Sequence, residues 1–456
     1  MNIAPATPIR NRKQRPLTVA LILAGGLSAG AVSSTALAAT VANCFDDGSP
    51  GSLRGTIAAA ASGDTVDIPV ALGCSTITLT TGSPAIPINV DDLAIDGHGA
   101  LTIDGGKYYG RTGSILYHLG VGTLKIYGTT LQSAEYKGNA HPDGGCIYSR
   151  GNVYLGYSTV QNCRIQESTP APTTVRGGAI FAEGEVTLVY SKVIDNSIFP
   201  STPNNGVAGG GIYSANGFYS SYCTIANNYA GGHSFGGGIF TRGYGDTIIR
   251  GSTISGNQAY AMGGLSVYGP PSAHTTTIVN STLSGNRATL LAAGALTLQP
   301  AYVFNSTIAF NRTTVAYVAG FYANSTLVLQ SSILANNFGN DGSGGIEEDD
   351  LFAYLPTGSN NIVVASPVAL PAGTSHACPL LGPLADNGGL TQTHALAKNS
   401  PAIDAGNDLA GLYFDQRGNG FARESPSGKP DIGAFERQPA DAGDFIFSGE
   451  FEGRCD

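Results

Sequence analysis

The sequence contains no tryptophan, only two methionines and few charged side chains. Charged residues make up 12% of its 456 residues, which is about half of the share usual in globular domains. This composition excludes a charged disordered chain and a coiled coil, because both depend on long charged side chains. The net charge is −9 and the sequence has no basic cluster, which argues against nucleic-acid binding.

Glycine, by contrast, accounts for 64 residues, about twice the usual frequency, and much of it belongs to an internal repeat. A glycine pair, one small residue and then isoleucine with an aromatic residue start at Gly144, Gly177, Gly209 and Gly236, with weaker copies at Gly263, Ala293 and Ala319. The second residues of these pairs, at positions 145, 178, 210, 237, 264, 294 and 320, lie 26 to 33 residues apart. Because glycine allows positive φ, each pair predicts a bend before a short strand.

A second marker inside each unit is a Ser/Thr–Ile segment that ends in asparagine. The asparagines are Asn196, Asn228, Asn257, Asn286, Asn311 and Asn336, and Cys163 takes this position in the first unit. The segment predicts a strand with its isoleucine inward, and asparagine tolerates the left-handed conformation that the next turn needs. Stacked amides also hydrogen-bond along a stack, so we expect these asparagines to form a structural ladder.

One unit of this length cannot bury its own apolar face, whereas stacked units share one interior. The repeat therefore predicts an all-β solenoid, a right-handed parallel β-helix with two or three short strands per coil. Leucine-rich, propeller and helical repeats fit less well, because their leucine density, unit length or 3.6-residue periodicity is missing. Residues 52–61 are predicted to form a short N-terminal capping helix, and an irregular cap is expected at the C-terminal end.

The N-terminus has the pattern of a secretory signal peptide. A basic stretch at residues 10–15 precedes an apolar run at residues 17–27, and small residues end in an A-x-A pattern at Ala38. We predict cleavage after Ala38 and export, with the mature protein secreted, on the cell surface or in the periplasm. No other segment approaches the length of a membrane-spanning helix.

Seven cysteines suit an oxidising compartment. The candidate disulfides are Cys44 with Cys74, Cys146 with Cys163, and Cys378 with Cys455, which leaves Cys223 unpaired. These pairs are hypotheses, because connectivity does not follow from sequence. The C-x-x-C spacing of zinc and redox sites is absent from the sequence.

Several C-terminal motifs carry a family resemblance: LGPLADNGGLTQTHAL from Leu381, NSPAIDAG from Asn399, DQRGNG from Asp415 and DIGAFE from Asp431. With these motifs the chain resembles bacterial right-handed β-helix proteins that carry a choice-of-anchor Q C-terminal module. The segment GSLRGTI from Gly51 is similar to the CSLREAI opening of that family, with glycine in place of its cysteine. The resemblance implies export, a parallel β-helix and a location on or beyond the cell surface, but no single reaction.

The resulting organisation has five parts. Residues 1–38 are the signal peptide, 39–143 the N-terminal cap and first rungs, and 144–340 the repeats. Residues 341–438 form the choice-of-anchor Q-like capping module, and 439–456 a tail.

The aromatic residues of the repeat are the main candidates for ligand binding. If the isoleucines of the glycine-pair units face inward, their neighbours Tyr148, Phe181, Tyr213 and Phe240 face outward and form a line at about 4.8 Å spacing. Such a line could stack against the sugar rings of a polysaccharide. Self-stabilisation by aromatic packing is the favoured alternative.

The charged candidates favour structural interpretations. The Glu183–Glu185 pair could bind a cation but is typical of a solvated edge, and His98 is typical of a tight turn. The acidic run at residues 347–350 could bind calcium, although an exposed, solvated loop is favoured over a metal site. An active site and a structural cap are both open for Asp404, Asp415, Arg417, Arg423 and Asp431, and the structural cap is favoured. No cofactor is expected.

Together these features favour a non-catalytic, monomeric exported protein that binds a polysaccharide or another surface partner through one face of the solenoid. A polysaccharide lyase or glycoside hydrolase is the first alternative, and a structural spacer is the second. Carboxylates recurring at coil spacing, which would favour an enzyme, are missing between residues 144 and 336.

Overall fold

The computed structural model describes residues 38–80, 85–107, 112–137, 143–167, 174–202, 206–270, 274–315, 318–340, 345–407, 409–423, 428–439 and 441. The predicted signal peptide, except its last residue, lies outside the described residues, as do Cys455 and most of the predicted tail. Among the described residues, no helix is long and apolar enough to span a membrane.

Each coil of the chain passes through three faces of parallel strands. The first face stacks Ile86–Ile88, Leu116–His118, Ile147–Ser149, Ile180–Ala182, Ile212–Ser214, Ile239–Thr241, Leu265–Val267, Ala295–Thr297 and the starts of Phe321–Gln330 and Leu351–Ser359. The second face stacks Ala38–Thr40, Thr65–Asp67, Asn152–Gly156, Val186–Val189, Phe218–Ser221, Thr247–Arg250, Thr276–Val279, Ala301–Phe304 and parts of Leu93–Asp104, Thr123–Gln132, Phe321–Gln330 and Leu351–Ser359. The third face stacks Thr76–Thr78, Thr159–Gln161, Lys192–Ile194, Thr224–Ala226, Thr253–Ser255, Thr282–Ser284, Thr307–Ala309, Ile333–Ala335, Ile362–Val363 and the ends of Leu93–Asp104 and Thr123–Gln132.

Two smaller sheets connect the third face to the next coil. The edge sheet consists of Glu135–Lys137, Arg164–Gln166, Ser197–Phe199, Tyr229–Ala230, Gln258–Ala259, Arg287–Ala288, Arg312–Thr313, Phe338–Asn340 and the antiparallel Ile346–Glu348. The cover sheet consists of Val175–Arg176, Val207–Ala208 and Ser234–Phe235. The predicted all-β parallel solenoid is therefore confirmed.

Alternation of side chains explains how each strand faces the interior. In Val186–Val189, the first and third residues are buried and the second and fourth are half-buried. Register keeps equivalent residues in line, so that Ile147 pairs with Ile180, and Ile180 with Ile212. These apolar side chains form one continuous core, because rungs about 4.8 Å apart leave no water between them. At the bend, a Cβ atom on Gly145 would collide with the carbonyl oxygen of Gly178, so only glycine fits.

The N-terminal end carries the predicted helix, which spans Leu53–Ala59. The hydroxyl of Ser52 accepts a hydrogen bond from the amide of Gly55 (3.1 Å) and caps its first turn. Leu53 and Ile57 are buried in the core, so the helix closes the apolar interior. A short 3₁₀ turn follows at Val70–Leu72.

Two predicted disulfides are confirmed: Cys44–Cys74 and Cys146–Cys163. Cys223 is a buried free thiol. The third predicted pair involves Cys455, which lies outside the described residues.

An asparagine ladder lies at the corner between the third face and the edge sheet. The side-chain oxygen of each member accepts from the backbone and side-chain nitrogens of the preceding member, at 2.8–3.2 Å. Its members are Asn196, Asn228, Asn257, Asn286, Asn311 and Asn337. The carboxylate of Asp350 ends the ladder by accepting from Asn337 (2.7 Å).

The prediction that Asn336 belongs to this ladder is wrong by one residue. Asn336 has φ +58 and occupies the left-handed position before the ladder residue, as Asp195 and Asn227 do in earlier coils. The ladder asparagines themselves are not among the residues with positive φ. The left-handed turn and the amide ladder are therefore made by neighbouring residues rather than by one.

A second ladder, not predicted, follows the corner between the second and third faces. The backbone amide of each member donates to the side chain of the next, for instance Ser158 to Ser191 (3.1 Å) and Ser191 to the sulfur of Cys223 (3.4 Å). The members are Ser158, Ser191, Cys223, Ser252, Ser281, Ser306 and Ser332. These bonds satisfy buried amides where the strand hydrogen bonds are interrupted.

The C-terminal segment, residues 380–438, folds back along the solenoid. It begins with an antiparallel pair, Leu381–Ala385 and Thr393–Leu396. The hydroxyl of Thr391 donates to the carbonyl of Gly251 (2.9 Å), and the Gln416 amide donates to the hydroxyl of Thr253 (2.9 Å). The outward residues of the third face are buried from Thr253 onward because this segment covers them, whereas earlier ones such as Lys192 are exposed.

Candidate ligand-binding surface

The predicted aromatic line is present on the first face. Tyr148, Phe181, Tyr213 and Phe240 are in register, with ring centroids 5.1, 5.2 and 5.4 Å apart along the stack. Tyr117 extends the stack at one end, 4.4 Å from Tyr148. The rings pack in a cluster separate from the main core that contains the isoleucines, as the alternation of side chains predicts.

The expectation that this line faces solvent is wrong. Phe181 is 1% exposed, Tyr213 3% and Phe240 9%. The cover sheet lies over them: the guanidinium of Arg176 lies 4.5 Å from the ring of Phe181 and is held by Asp143 at 2.6 Å. The line is a small apolar cluster that stabilises itself, and its central rings are not available to a ligand.

A different row of aromatic rings is open to solvent. It lies at the corner between the second and third faces and consists of Tyr157, Tyr190 and Tyr222, which we call the tyrosine row. Successive centroids are 4.9 and 5.5 Å apart, with interplanar angles of 19° and 9°. Tyr157 is 69% exposed, Tyr190 37%, and Tyr222 is half-buried.

The backbone of this row is left-handed, with φ between +50° and +54° at all three tyrosines. Other coils place glycine or a small polar residue at the same corner: Gly128, Gly251, Asn280, Asn305 and Ser331. Glycine and asparagine adopt this conformation at little cost, whereas a bulky side chain there is unfavourable. The corner geometry therefore requires a left-handed residue but does not require tyrosine.

Stacking determines what the row presents to a ligand. Tyr190 has a ring on each side, so it offers its edge and phenol end rather than a face. Tyr157 has a ring on one side only, because the corner residue of the preceding coil is Gly128. At the other end Tyr222 lies against Gly251 and Gly418, where the C-terminal segment begins to cover the corner.

Three further tyrosines lie beside the row on the second face. Tyr154 packs against Tyr127 with centroids 5.4 Å apart, and Tyr219 lies two rungs beyond Tyr154 in the same register. All three are half-buried. Burial raises the pKa of Tyr154 and of Tyr222, so their phenols are protonated hydrogen-bonding groups near neutral pH.

The sequence contains a signal for this row that the prediction did not use. A tyrosine directly precedes the Ser/Cys–Thr–Ile-type marker in three consecutive units, at positions 157, 190 and 222. This tyrosine lies one residue before the marker, and its exposure depends on which flanking segments cover it.

The candidate turn histidine is bound to two aspartates. His98 has φ +52, its Nε2 lies 2.7 Å from Asp67, and its Nδ1 lies 3.7 Å from Asp96. The hydrogen bond to Asp67 raises the pKa of His98. This arrangement is that of a turn held by local polar contacts.

The glutamate pair does not assemble a metal site. Glu183 and Glu185 are both exposed, and Glu185 accepts a hydrogen bond from the hydroxyl of Thr187 (2.9 Å). Across the described residues, no group of three or more histidine, cysteine, aspartate or glutamate side chains could hold a metal ion.

The acidic run at residues 347–350 is not the solvated loop that the sequence favoured. Asp350 is fully buried, since it ends the asparagine ladder and accepts from the amide of Ala365 (2.9 Å). Glu348 accepts a hydrogen bond from the amide of Asn336. Burial, and then the charge of Glu347, raises the pKa of Asp349 to about 6. The run terminates a structural ladder.

The C-terminal candidates form a buried network. Asp415 pairs with Arg417 (2.8 Å), whose guanidinium lies between the rings of Phe421 and Phe435 at 3.9 and 3.8 Å. Asp431 accepts from the backbone amide of Asp404 (2.8 Å).

This network also ties the C-terminal segment to the solenoid. Arg423 donates to Asn280 (2.6 Å), a corner residue of the solenoid. The side chains of Asp415, Arg417 and Arg423, which belong to this segment, are buried. They hold the C-terminal segment against the solenoid, which is the role of a structural cap.

Comparison with known proteins agrees with this architecture. The model of the family described as right-handed beta helix region matches residues 145–377, just over half of the chain. No curated protein matches the sequence. The coils are parallel, the core is continuous, and the family model matches more than half of the chain. The chain therefore belongs to the right-handed beta helix family.

Proposed function

We propose that this protein is an exported, non-catalytic, monomeric binding protein that holds polysaccharide along the tyrosine row. The observation that carries the proposal is that three consecutive corner residues are solvent-accessible tyrosines in the left-handed conformation. Strained residues of this kind concentrate at ligand-binding sites, because the fold alone does not favour them.

The chemistry of the row suits sugars. A tyrosine offers an apolar ring and a hydroxyl, and a pyranose offers apolar C–H groups and several hydroxyls. Rings fixed to successive rungs cannot change their spacing, so little side-chain entropy is lost when a polymer binds. The neighbouring Tyr154 and Tyr219 widen the surface across the second face.

Export is the natural setting for this activity. Two disulfides close the N-terminal part of the solenoid, and such bonds persist in oxidising compartments. We also propose that the C-terminal segment, which has choice-of-anchor Q-like motifs, is a capping module. It leaves the corner open in the first coils. In this assignment the first coils bind the ligand and the later coils carry the cap.

A glycan array on the full chain tests the proposal. The double variant Tyr157→Asn/Tyr190→Asn keeps a residue that accepts the left-handed backbone and removes two rings. We expect at least a tenfold loss of affinity for the bound glycans, since stacking is worth about 1 kcal/mol per ring.

The matched control is Tyr413→Asn, since Tyr413 is 82% exposed but lies in the C-terminal segment. It should leave affinity unchanged. Equal binding by the double variant and the parent would overturn the tyrosine-row assignment. Turnover of any bound polysaccharide would replace the binding function with an enzymatic one.

A further inference from the structure

Three cationic side chains flank the tyrosine row. Lys125 is in register with Tyr154 on the second face, and Lys192 is the first residue of its third-face strand, two residues after Tyr190. Arg250 directly precedes Gly251, against which the ring of Tyr222 lies. All three are exposed. They occupy every second rung, so successive cations are about 10 Å apart along the solenoid axis.

None of these three cations takes part in an ion pair within the described parts of the chain. Of the carboxylates near Lys125 in register, Asp67 and Asp96 hold His98, and Asp92 accepts a hydrogen bond from the backbone amide of Thr123 (2.8 Å). Asp415, close to Tyr222, is buried and paired with Arg417.

The carboxylates that remain exposed on the second face lie at its other edge. Asp91 and Asp92 precede Leu93–Asp104, Glu185 precedes Val186–Val189, and Asp246 precedes Thr247–Arg250, so all four are at the strand starts. The corner lies at the ends of the same strands. Lys192 and Arg250 therefore give the corner a charge opposite to that of the strand starts, with Lys125 between the two edges, and an anionic chain is favoured along the corner.

This local charge contrasts with the whole protein, which has 23 lysines and arginines against 32 acidic residues. Unpaired cations beside aromatic rings in an acidic protein are a recognition feature rather than a consequence of composition. Burial raises the pKa of Tyr222, and the charge of Arg250 opposes that rise, which places the guanidinium close enough to act on the phenol.

We propose that the ligand of the tyrosine row is an acidic polysaccharide, whose anionic groups meet Lys125, Lys192 and Arg250 while its sugar rings contact the tyrosines. The inference rests on the proposed function and names the class of ligand. Surface ion pairs are individually weak, so the cations select and orient the chain while the rings hold it.

Two polymers with the same backbone and different charge test the proposal: carboxymethyl cellulose and hydroxyethyl cellulose. The full chain should bind the carboxymethyl polymer about tenfold more tightly, since three exposed pairs contribute on this scale. Added salt at about 1 M should abolish that preference, because the screening length falls to about 3 Å.

The triple variant Lys125→Gln/Lys192→Gln/Arg250→Gln should bind both polymers equally. Its matched control is Arg242→Gln/Arg287→Gln/Lys398→Gln, which removes three exposed cations elsewhere and gives the same net charge of −12 (−9 − 3). The control should keep the preference for the charged polymer, because only the cations beside the row contact the ligand.

Loss of the preference in both triple variants would overturn the inference, since overall charge would then be the cause. Failure of the parent to bind carboxymethyl cellulose, or equally tight binding of single-stranded DNA, would overturn it as well. Equal binding of both polymers that still requires Tyr157 and Tyr190 would overturn the charge inference and leave the proposed function standing.

Discussion

The ring of Tyr222 lies against Gly418: a Cβ atom on that glycine would be 3.4 Å from Cε1 of the tyrosine. The two residues are 196 positions apart in the chain (418 − 222). At this contact the C-terminal segment meets the end of the tyrosine row. The same corner is therefore open in the first coils and covered in the later ones.

The two aromatic rows should respond differently to mutation. Tyr157→Asn relieves a left-handed tyrosine and loses one stacking contact, so we expect a change in unfolding free energy within about 1 kcal/mol. Phe181→Ala empties a buried site and should cost about 3–5 kcal/mol. Urea unfolding followed by circular dichroism measures both, and a large loss for Tyr157→Asn would mean that the row is structural.

The asparagine ladder provides a test of its corrected register. Asn337→Ala leaves the backbone amide and side chain of Asn311 without their acceptor, which should cost about 2–4 kcal/mol. Asn336→Gly keeps the left-handed conformation and should cost at least about 1 kcal/mol less. Equal losses of stability in the two variants would contradict the register.

Cys223 should be inert while the protein is folded. Its thiol is buried, and burial raises its pKa to about 11, so the reactive thiolate is scarce at neutral pH. A disulfide reagent added to the native protein should therefore modify it only after denaturant is added. Rapid labelling of the native protein would show that the corner opens.

Substitutions at the same position test the serine ladder. Cys223→Ser restores the residue found in the neighbouring coils and should keep stability unchanged. Cys223→Ala removes the acceptor of the Ser191 amide and should cost about 1–2 kcal/mol, as measured by urea unfolding. A Cys223→Ser variant as unstable as Cys223→Ala would contradict the ladder.

The C-terminal segment should lose stability as pH rises. Burial, and then the charge of Asp431, raises the pKa of Glu436 to about 8. The folded protein keeps this proton while the unfolded chain, with an ordinary glutamate pKa, releases it. The stability that protonated Glu436 contributes is therefore complete below about pH 4 and is lost as pH rises through about 8.

The melting temperature should accordingly fall between about pH 7 and pH 8, a window in which His394, whose pKa burial lowers to about 4, is neutral in the folded state and mostly neutral in the unfolded chain. Glu436→Gln should flatten that dependence, because glutamine carries no proton to lose. An equal fall of melting temperature in the variant would assign the effect to other groups.

Local patterns in the sequence determined most of the fold. The glycine pairs and the inward isoleucines repeat at near-constant spacing, and hydrogen bonding between successive coils turns that spacing into register. The alignment of Tyr148 and Phe181 follows from the same periodicity. The two confirmed disulfides each close a short stretch of 17 or 30 residues.

Only the tertiary structure decided which outward residues are exposed. Phe181 is covered by a strand that contains Arg176 and is 1% exposed, whereas Tyr190 is 37% exposed. Sequence periodicity also placed the last asparagine one residue early, because position 336 and position 337 are both asparagine and only the hydrogen bonds distinguish them.

The repeat pattern specifies which side of a strand a residue occupies, because that depends on its immediate neighbours along the chain. Exposure instead depends on segments that return from far away, such as Gln416 meeting Thr253 across 163 residues. Such contacts leave no periodic trace in the sequence, since they join residues that are far apart along the chain. The rungs and their alignment could therefore be predicted, and the open surface required the folded chain.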